Sequence, residues 1–320
     1  QAEIADLLRG TAGSEEWALL QLGFLQMVED YIEKELGKSP TQEISNHEAG
    51  GQWRIGFPHL ALYGDTRISE FMQQVMAARR QYNRENLYHG FPDCAEVHHE
   101  IETFIYFQLP LFYWELAGFE LARASIDDVA HHMGNWEEGV PNWYDWDNHL
   151  FVSSWLGTRE VRDYPPFDYQ EANHFRWIDV AMAAYLGTGN ERYLDLTSDY
   201  SDRWCDHIES LSNEGRAIQC SILPEGAQVA EMGHAGSRKD GDDTVYKVFY
   251  AGVSDNTSYD VAGAMIDLYR VTANNRYLGA ARMIMDQFFE NGAHGRPATG
   301  YRMGDNVWST EDPENNDAEW

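Results

Sequence analysis

Tyr185-Leu186-Gly187-Thr188-Gly189-Asn190-Glu191-Arg192-Tyr193-Leu194 is the end of one helix, a short polar turn, and Arg-Tyr-Leu opening the next helix. Tyr269-Arg270-Val271-Thr272-Ala273-Asn274-Asn275-Arg276-Tyr277-Leu278 repeats the pattern, with a weaker echo at Leu62-Tyr63-Gly64-Asp65-Thr66-Arg67-Ile68. One helical hairpin alone leaves its apolar face in water, so a recurring hairpin predicts stacking against neighbours in a solenoid or a closed toroid. In a ring the short turns occupy one rim, and the longer connections gather on the other and build a site.

Working outward, Trp17, Leu20, Phe24, Leu25, Val28, Tyr31 and Ile32 recur at three- and four-residue steps, which predicts an amphipathic helix over 15–36. Further helices are expected over 68–82, 97–117, 171–186, 192–211, 259–271 and 276–289, and alternating runs with hairpin turns are infrequent. The expected fold class is all-α, an (α/α)6-type barrel or toroid of helical hairpins. It is expected to form one catalytic domain over 1–320, open to completion by residues beyond Trp320. The rich long connections are 134–170, 212–258 and 291–320, and the acidic stretch 311–319 has the composition of a disordered tail.

With 23 Lys and Arg against 53 Asp and Glu, the formal charge of −30 repels phosphate backbones and excludes nucleic acid as an expected partner. An acidic glycan would need local Arg or His groups to approach. Eleven Trp and 18 Tyr exceed what a helical bundle needs for packing, so part of this aromatic surface is expected to line a groove. Cys94, Cys205 and Cys220 are too scattered for a disulfide framework or a zinc site. No apolar run reaches the roughly 18 residues of a membrane span. The first residue is Gln1, as in a processed product, so a secreted or periplasmic location is expected ahead of a cytoplasmic one.

The hairpin turn at Thr188 to Leu194 resembles the Thr-Gly-Asn…Tyr-Leu turn of the six-hairpin (α/α) toroid glycosidases. Within that superfamily, Gly252-Val253-Ser254-Asp255-Asn256-Thr257-Ser258-Tyr259 is similar to the Gly-x-x-Asp-x-Ser-x-Trp stretch of the glucuronyl hydrolases. Leu109-Pro110-Leu111-Phe112-Tyr113-Trp114 is similar to their Leu-Pro-Leu-Leu-Tyr-Trp stretch, while Val261-Ala262-Gly263 stands where they have Arg-Gly-Gln. The resemblance implies an enzyme acting on glucuronic acid or its unsaturated derivative, with carboxylates that protonate the sugar and position water.

Four stretches set acid, amide and imidazole groups just ahead of apolar runs: 96–102, 145–149, 171–177 and 254–256. Asp, Asn and Ser commonly cap helices, and for any one stretch capping is the simpler explanation. Capping requires neither imidazole nor Trp, however, and four such stretches converging on one rim would form a pocket. Glycosidic cleavage needs a proton donor and a second group that activates water or attacks carbon. The catalytic candidates are Asp147, Glu171 and Asp255, with Glu100 and Glu102 behind them. Substrate binding is expected from His149, His174, Arg54, Arg176, Asn148, His99 and Tyr259, and from Trp53, Trp146 and Trp177 as stacking faces. Core packing is an equal alternative for the Trp residues, Trp143 among them, and surface ion pairing for the Arg residues, including Arg302.

His98 and His99, near Glu96, Glu100 and Glu102, do not converge on one ion at helical spacing, and His-Glu-x-x-His is absent, so no metal and no cofactor is expected. His131-His132 is expected at a solvated helix end and Asp240-Gly241-Asp242-Asp243 at an exposed turn. The expected function is a glycoside hydrolase for glucuronic-acid-type residues, with an oligosaccharide or polysaccharide as partner and no membrane. A toroid-type lyase using Asn148, His149, His174, Tyr246 and Tyr259 is the alternative, followed by a non-catalytic sugar-binding scaffold.

Overall fold

The computed structural model describes residues 14–39, 66–97, 101, 108–113, 115, 118–232, 236–240, 243–248 and 255–293. Side chains are not described at 16, 35, 228–232, 236–240, 243–245, 247–248, 255–260 and 288–293. These residues are mainly helical. The α-helices are α1 (Glu15–Leu36), α2 (Thr66–Asn86), α3 (Leu109–Tyr113), α4 (Phe119–Met133), α5 (His174–Thr188), α6 (Glu191–Asn213), α7 (Asp255–Thr272) and α8 (Asn275–Ala293). Among the described residues, no helix is long and apolar enough to cross a membrane. The chain forms two compact units, one of residues 1–85 with 102–122 and one of residues 86–101 with 123–320.

In the first unit, Ile68, Phe71, Met72, Val75 and Met76 make the buried stripe of α2, and Arg67 pairs with Glu33 of α1 at 2.7 Å. Leu111 and Phe112 of α3 are buried, and the Phe112 ring stacks on Phe119 at 5.6 Å.

The second unit carries the twin turns. Gly189 takes a left-handed φ of 70° and donates its N–H to the Tyr185 carbonyl, and the Asn190 side chain accepts from the Arg192 N–H to cap α6. The turn from α7 to α8 repeats this geometry with Ala273 at φ 57°, its N–H on the Tyr269 carbonyl, and Asn274 accepting from the Arg276 N–H at 3.1 Å. Such short turns force each helix pair to run antiparallel. α5 packs on α6 and α7 on α8; in addition α5 lies against α7 and α6 against α8.

Arg276, at the start of α8, meets Asp202, Asp206 and Glu209 of α6, while Gln287, further along α8, accepts from the Ile218 N–H beyond the end of α6. α6 and α8 are therefore parallel, and so are their antiparallel partners α5 and α7. The starts of α5 and α7 point to the same end of a double layer of helices.

Nine short strands interrupt this helical frame among the described residues, more than the sequence leads one to expect. β1 (Ala95–Glu96) pairs with β4 (Trp155–Leu156), β2 (Tyr144–Asp145) with β3 (Leu150–Phe151), and β5 (Gln170–Glu171) with β6 (Ser221–Ile222), all antiparallel. β7 (Gln228–Met232), β9 (Asp243–Val248) and β8 (Gly236–Asp240) form a sheet in that order, with Asp240 and Asp243 as partners where β8 meets β9. The Asp240–Asp243 turn itself, Gly241 and Asp242, lies outside the described residues. Gly157 allows the β1–β4 approach, because a Cβ there would lie 2.2 Å from the Asp93 carbonyl oxygen.

Pairing with Ser221–Ile222 holds Gln170–Glu171 extended, so the helix expected from residue 171 starts at His174. α4 was not among the expected helices, and His132 at its end is buried and stacked on Trp143 at 5.4 Å rather than solvated. The core of this unit is aromatic. Phe91, Trp143 and Trp177 meet with centroid separations of 5.1–5.5 Å, and Phe175 meets Trp204 and Tyr200 at 5.1 Å and 5.3 Å. Truncating any one of these buried rings to Ala costs about 3–5 kcal/mol.

Candidate functional site

Glu171 is placed by β5, three residues ahead of α5, and only 3% of its surface is exposed. Burial raises its carboxyl from the ordinary 4.5 to about 7, and the negative charge of Glu96 adds to the rise. A hydrogen bond with Asn173 and the Arg176 guanidinium oppose it. Glu96 is half-buried in β1, immediately before Val97, as Glu171 stands immediately before the turn into α5. A carboxyl that keeps its proton at neutral pH beside a second carboxylate supplies a proton donor and an acceptor.

Two tyrosines, Tyr169 and Tyr200, lie within reach of the Glu171 charge. Burial raises the Tyr169 and Tyr200 hydroxyls well above the ordinary range, and the Glu171 charge acts in the same direction on both. They therefore stay protonated. Tyr246 packs on Tyr169 at 6.0 Å and donates to Asp168 at 2.5 Å.

His174 opens α5 fully buried, and burial lowers its imidazole from 6.5 to about 4, so the ring is neutral. Nε2 donates to the Ser153 carbonyl at 3.1 Å and Nδ1 accepts from the Glu171 N–H at 3.1 Å, which fixes the Nε2–H tautomer. With both nitrogens engaged by backbone, His174 orients the Glu171 segment and presents no free nitrogen. Its neighbours on α5 divide: Arg176 contributes charge toward Glu171, whereas Trp177 is a core residue, 1% exposed, with Nε1 on the Val97 carbonyl. Trp143 is likewise buried, its indole N–H on the Gly157 carbonyl.

The 145–149 stretch opens no helix and instead forms the β2–β3 turn. The Asp145 carboxylate accepts from the backbone N–H groups of Asp147 and Asn148 and from the Asn148 side chain at 2.6 Å, while His149 takes a φ of 56°. Asn135 clamps the approach, accepting from the Trp143 and Tyr144 N–H groups and donating to the Tyr144 carbonyl. Asp147 and Asn148 are exposed, and His149 lies 3.6 Å from Asp199 of α6. Asp147 and Trp146 line an open cavity of about 600 Å³ to which Glu171 does not contribute.

Asp255 is the first residue of α7 and so lies at the same end of the helix layer as Glu171. The roles expected of the Asp255 and Tyr259 side chains, and those of Trp53, Arg54, His98, His99, Glu100, Glu102 and Arg302, lie outside the described residues. The sequence places Glu96 in one of the four polar stretches and among the residues weighed for a metal, but not among the catalytic candidates, and Tyr169 and Tyr200 are not singled out. The available signal was the parallel between Glu96-Val97 and Glu171-Ala172, each a Glu entering an apolar run. Among the described residues, no group of three or more His, Cys, Asp or Glu is placed to hold a metal ion. No family model, curated protein or solved structure matches this chain.

Proposed function

We propose that this chain is a glycoside hydrolase that releases glucuronic-acid-type residues from glycans and is built as a toroid of helical hairpins. One observation carries the reading: the Glu171 carboxyl is buried, 3% exposed, three residues ahead of α5, where burial and then the Glu96 charge raise it toward about 7. The double layer of α5–α6 and α7–α8 supports the architecture, and the resemblance of 109–114 and 252–259 to glucuronyl hydrolase stretches supports the uronate.

In this reading Glu171 gives its proton to the glycosidic oxygen as the bond to the anomeric carbon breaks. Water attacks that carbon and passes a proton to Glu96, and the two sugars leave. Tyr169 and Tyr200 pack near Glu171 and add to the burial that favours its protonated form, and Arg176 binds the uronate carboxylate. A β-eliminating lyase needs a free base at C5, whereas His174 has both nitrogens engaged and Tyr246 is held protonated by burial and Asp168.

Unsaturated uronic-acid disaccharides and 4-nitrophenyl glucuronide test the proposal, with reducing ends and ultraviolet absorbance of the conjugated uronate followed together. The expected result is new reducing ends without new absorbance, a rate that falls as pH rises through about 7, and a loss of about 100-fold or more in Glu171→Gln. New absorbance on saturated polyuronate would identify a lyase, and no turnover of either substrate would overturn the reading.

A further inference from the structure

The β5–β6 ladder sets Glu171 opposite Ser221 and Gln170 opposite Ile222. Directly opposed residues of an antiparallel pair project from the same face, with Cβ atoms about 5 Å apart. All four residues are buried, and the neighbours Ile218, Cys220 and Ile222 are buried and apolar, so packing alone asks for no hydroxyl at position 221.

A buried hydroxyl is costly unless it is bonded. Ser153, Ser154, Thr158 and Thr197, buried like Ser221, each donate to a backbone carbonyl at 2.6–3.1 Å. Ser221 does not: its Oγ is sealed and has no hydrogen-bond partner among the described residues, and the same holds for Oε1 of Glu171. The polar side chains flanking Glu171 are committed elsewhere. Both amide atoms of Gln170 engage the Phe151 backbone, and both ring nitrogens of His174 engage backbone groups. A donor with no acceptor therefore shares one rung of the ladder with an acceptor that lacks a donor.

We infer that Ser221 is a positioning residue for this carboxyl, its hydroxyl turning to donate to Oε1 when Glu171 releases its proton. Ser221 keeps its own proton throughout, and the proton that moves is the one on Glu171. The bond belongs to the ionised form, because a hydroxyl–carboxylate bond is charge-assisted and about twice as strong as a neutral one. In a sealed site no bulk water takes over that role. Ser221 thus eases the ionisation of a buried acid, in the same direction as Asn173 and Arg176 and against desolvation and Glu96. The Glu171 charge also acts on the Tyr169 and Tyr200 hydroxyls, and the Tyr200 hydroxyl, sealed and unbonded as well, is the competing donor. The ladder register favours Ser221. The catalytic consequence rests on the reading of Glu171 as the acid, whereas the hydrogen bond does not.

Carbon-13 NMR of the full chain, labelled at the glutamate carboxyls, reads the Glu171 titration directly, and the resonance lost in Glu171→Gln assigns it. Ser221→Ala removes a hydroxyl that makes no bond in the resting fold, so it should fold like the parent. Its Glu171 midpoint is expected to rise by about one pH unit, the worth of one lost hydrogen bond to a charged group. Ser221→Thr keeps the hydroxyl and should move the midpoint by less than half as much, and Tyr200→Phe should leave it in place. On a glucuronide that the parent cleaves, Ser221→Ala should lower kcat severalfold with KM unchanged, and its falling pH limb should move upward with the midpoint. A midpoint that stays or falls in Ser221→Ala, an equal rise in Ser221→Thr, a rise in Tyr200→Phe instead, or a Ser221→Ala chain that does not fold would each overturn the inference. A raised midpoint without turnover of any glucuronide keeps the Ser221 bond and sinks only the hydrolase reading.

Discussion

The 145–149 turn and the 171–174 segment carry nearly the same residues, an acid followed by an amide and an imidazole, and they reach opposite electrostatic states. At the turn, the Asn148 side chain and two backbone N–H groups hold the Asp145 carboxyl below its ordinary range. Three residues ahead of α5, burial and the Glu96 charge drive Glu171 upward to about 7. The imidazoles part in the same way: His149 is half-exposed beside Asp199, and His174 is sealed and neutral. Composition therefore supplies the groups, while burial and hydrogen-bond donors decide which of them keeps a proton at neutral pH.

The sharpest way to break this contrast is to remove the sealed imidazole. His174→Ala deletes two hydrogen bonds to backbone and a ring stacked on Phe151 at 5.2 Å, and should cost about 4 kcal/mol in urea unfolding. Next comes the proton on Glu171. Because its folded carboxyl titrates near 7 and an unfolded one near 4.5, its contribution is full below about pH 4.5 and is lost as pH rises to about 7. Glu171→Gln should remove that loss, so the variant gains up to about 3 kcal/mol relative to the parent between pH 4.5 and 8. His174 works in the opposite sense: its contribution is full above 6.5 and is lost as pH falls through about 4, which partly cancels the Glu171 slope near pH 5–6 in the parent. The smallest effect belongs to the turn. Asp145→Ala should cost about 1 kcal/mol, since the acceptor it removes leaves donors that water can reach.

Helices and hairpin turns were legible because they are written locally. Thr188-Gly189-Asn190 and Thr272-Ala273-Asn274 each contain their own stop, left-handed residue and cap. Glu171 and His174 were legible as chemical groups, but their burial was not, since it comes from β6 and from Ser153. Glu96 was missed for the same reason: that its charge reaches Glu171, 75 residues on, is not written locally. Trp177 shows the converse case, because a Trp beside polar residues fits a sugar platform and core packing equally well until burial and the Val97 carbonyl, which takes its indole N–H, decide for the core.

The two near-identical corners at Gly189 and Ala273 also bear on how the chain acquires its structure. Each joins helices adjacent in sequence, so each helix pair forms with little loop-closure entropy and without waiting for distant segments. The pieces that must wait are the short ladders holding Glu96 and Glu171, whose partners are remote along the chain. The helical scaffold is thus the part with local contacts, and the environment that raises the Glu171 carboxyl depends on the remote ones, so a population lacking the ladders would be helical without that raised carboxyl.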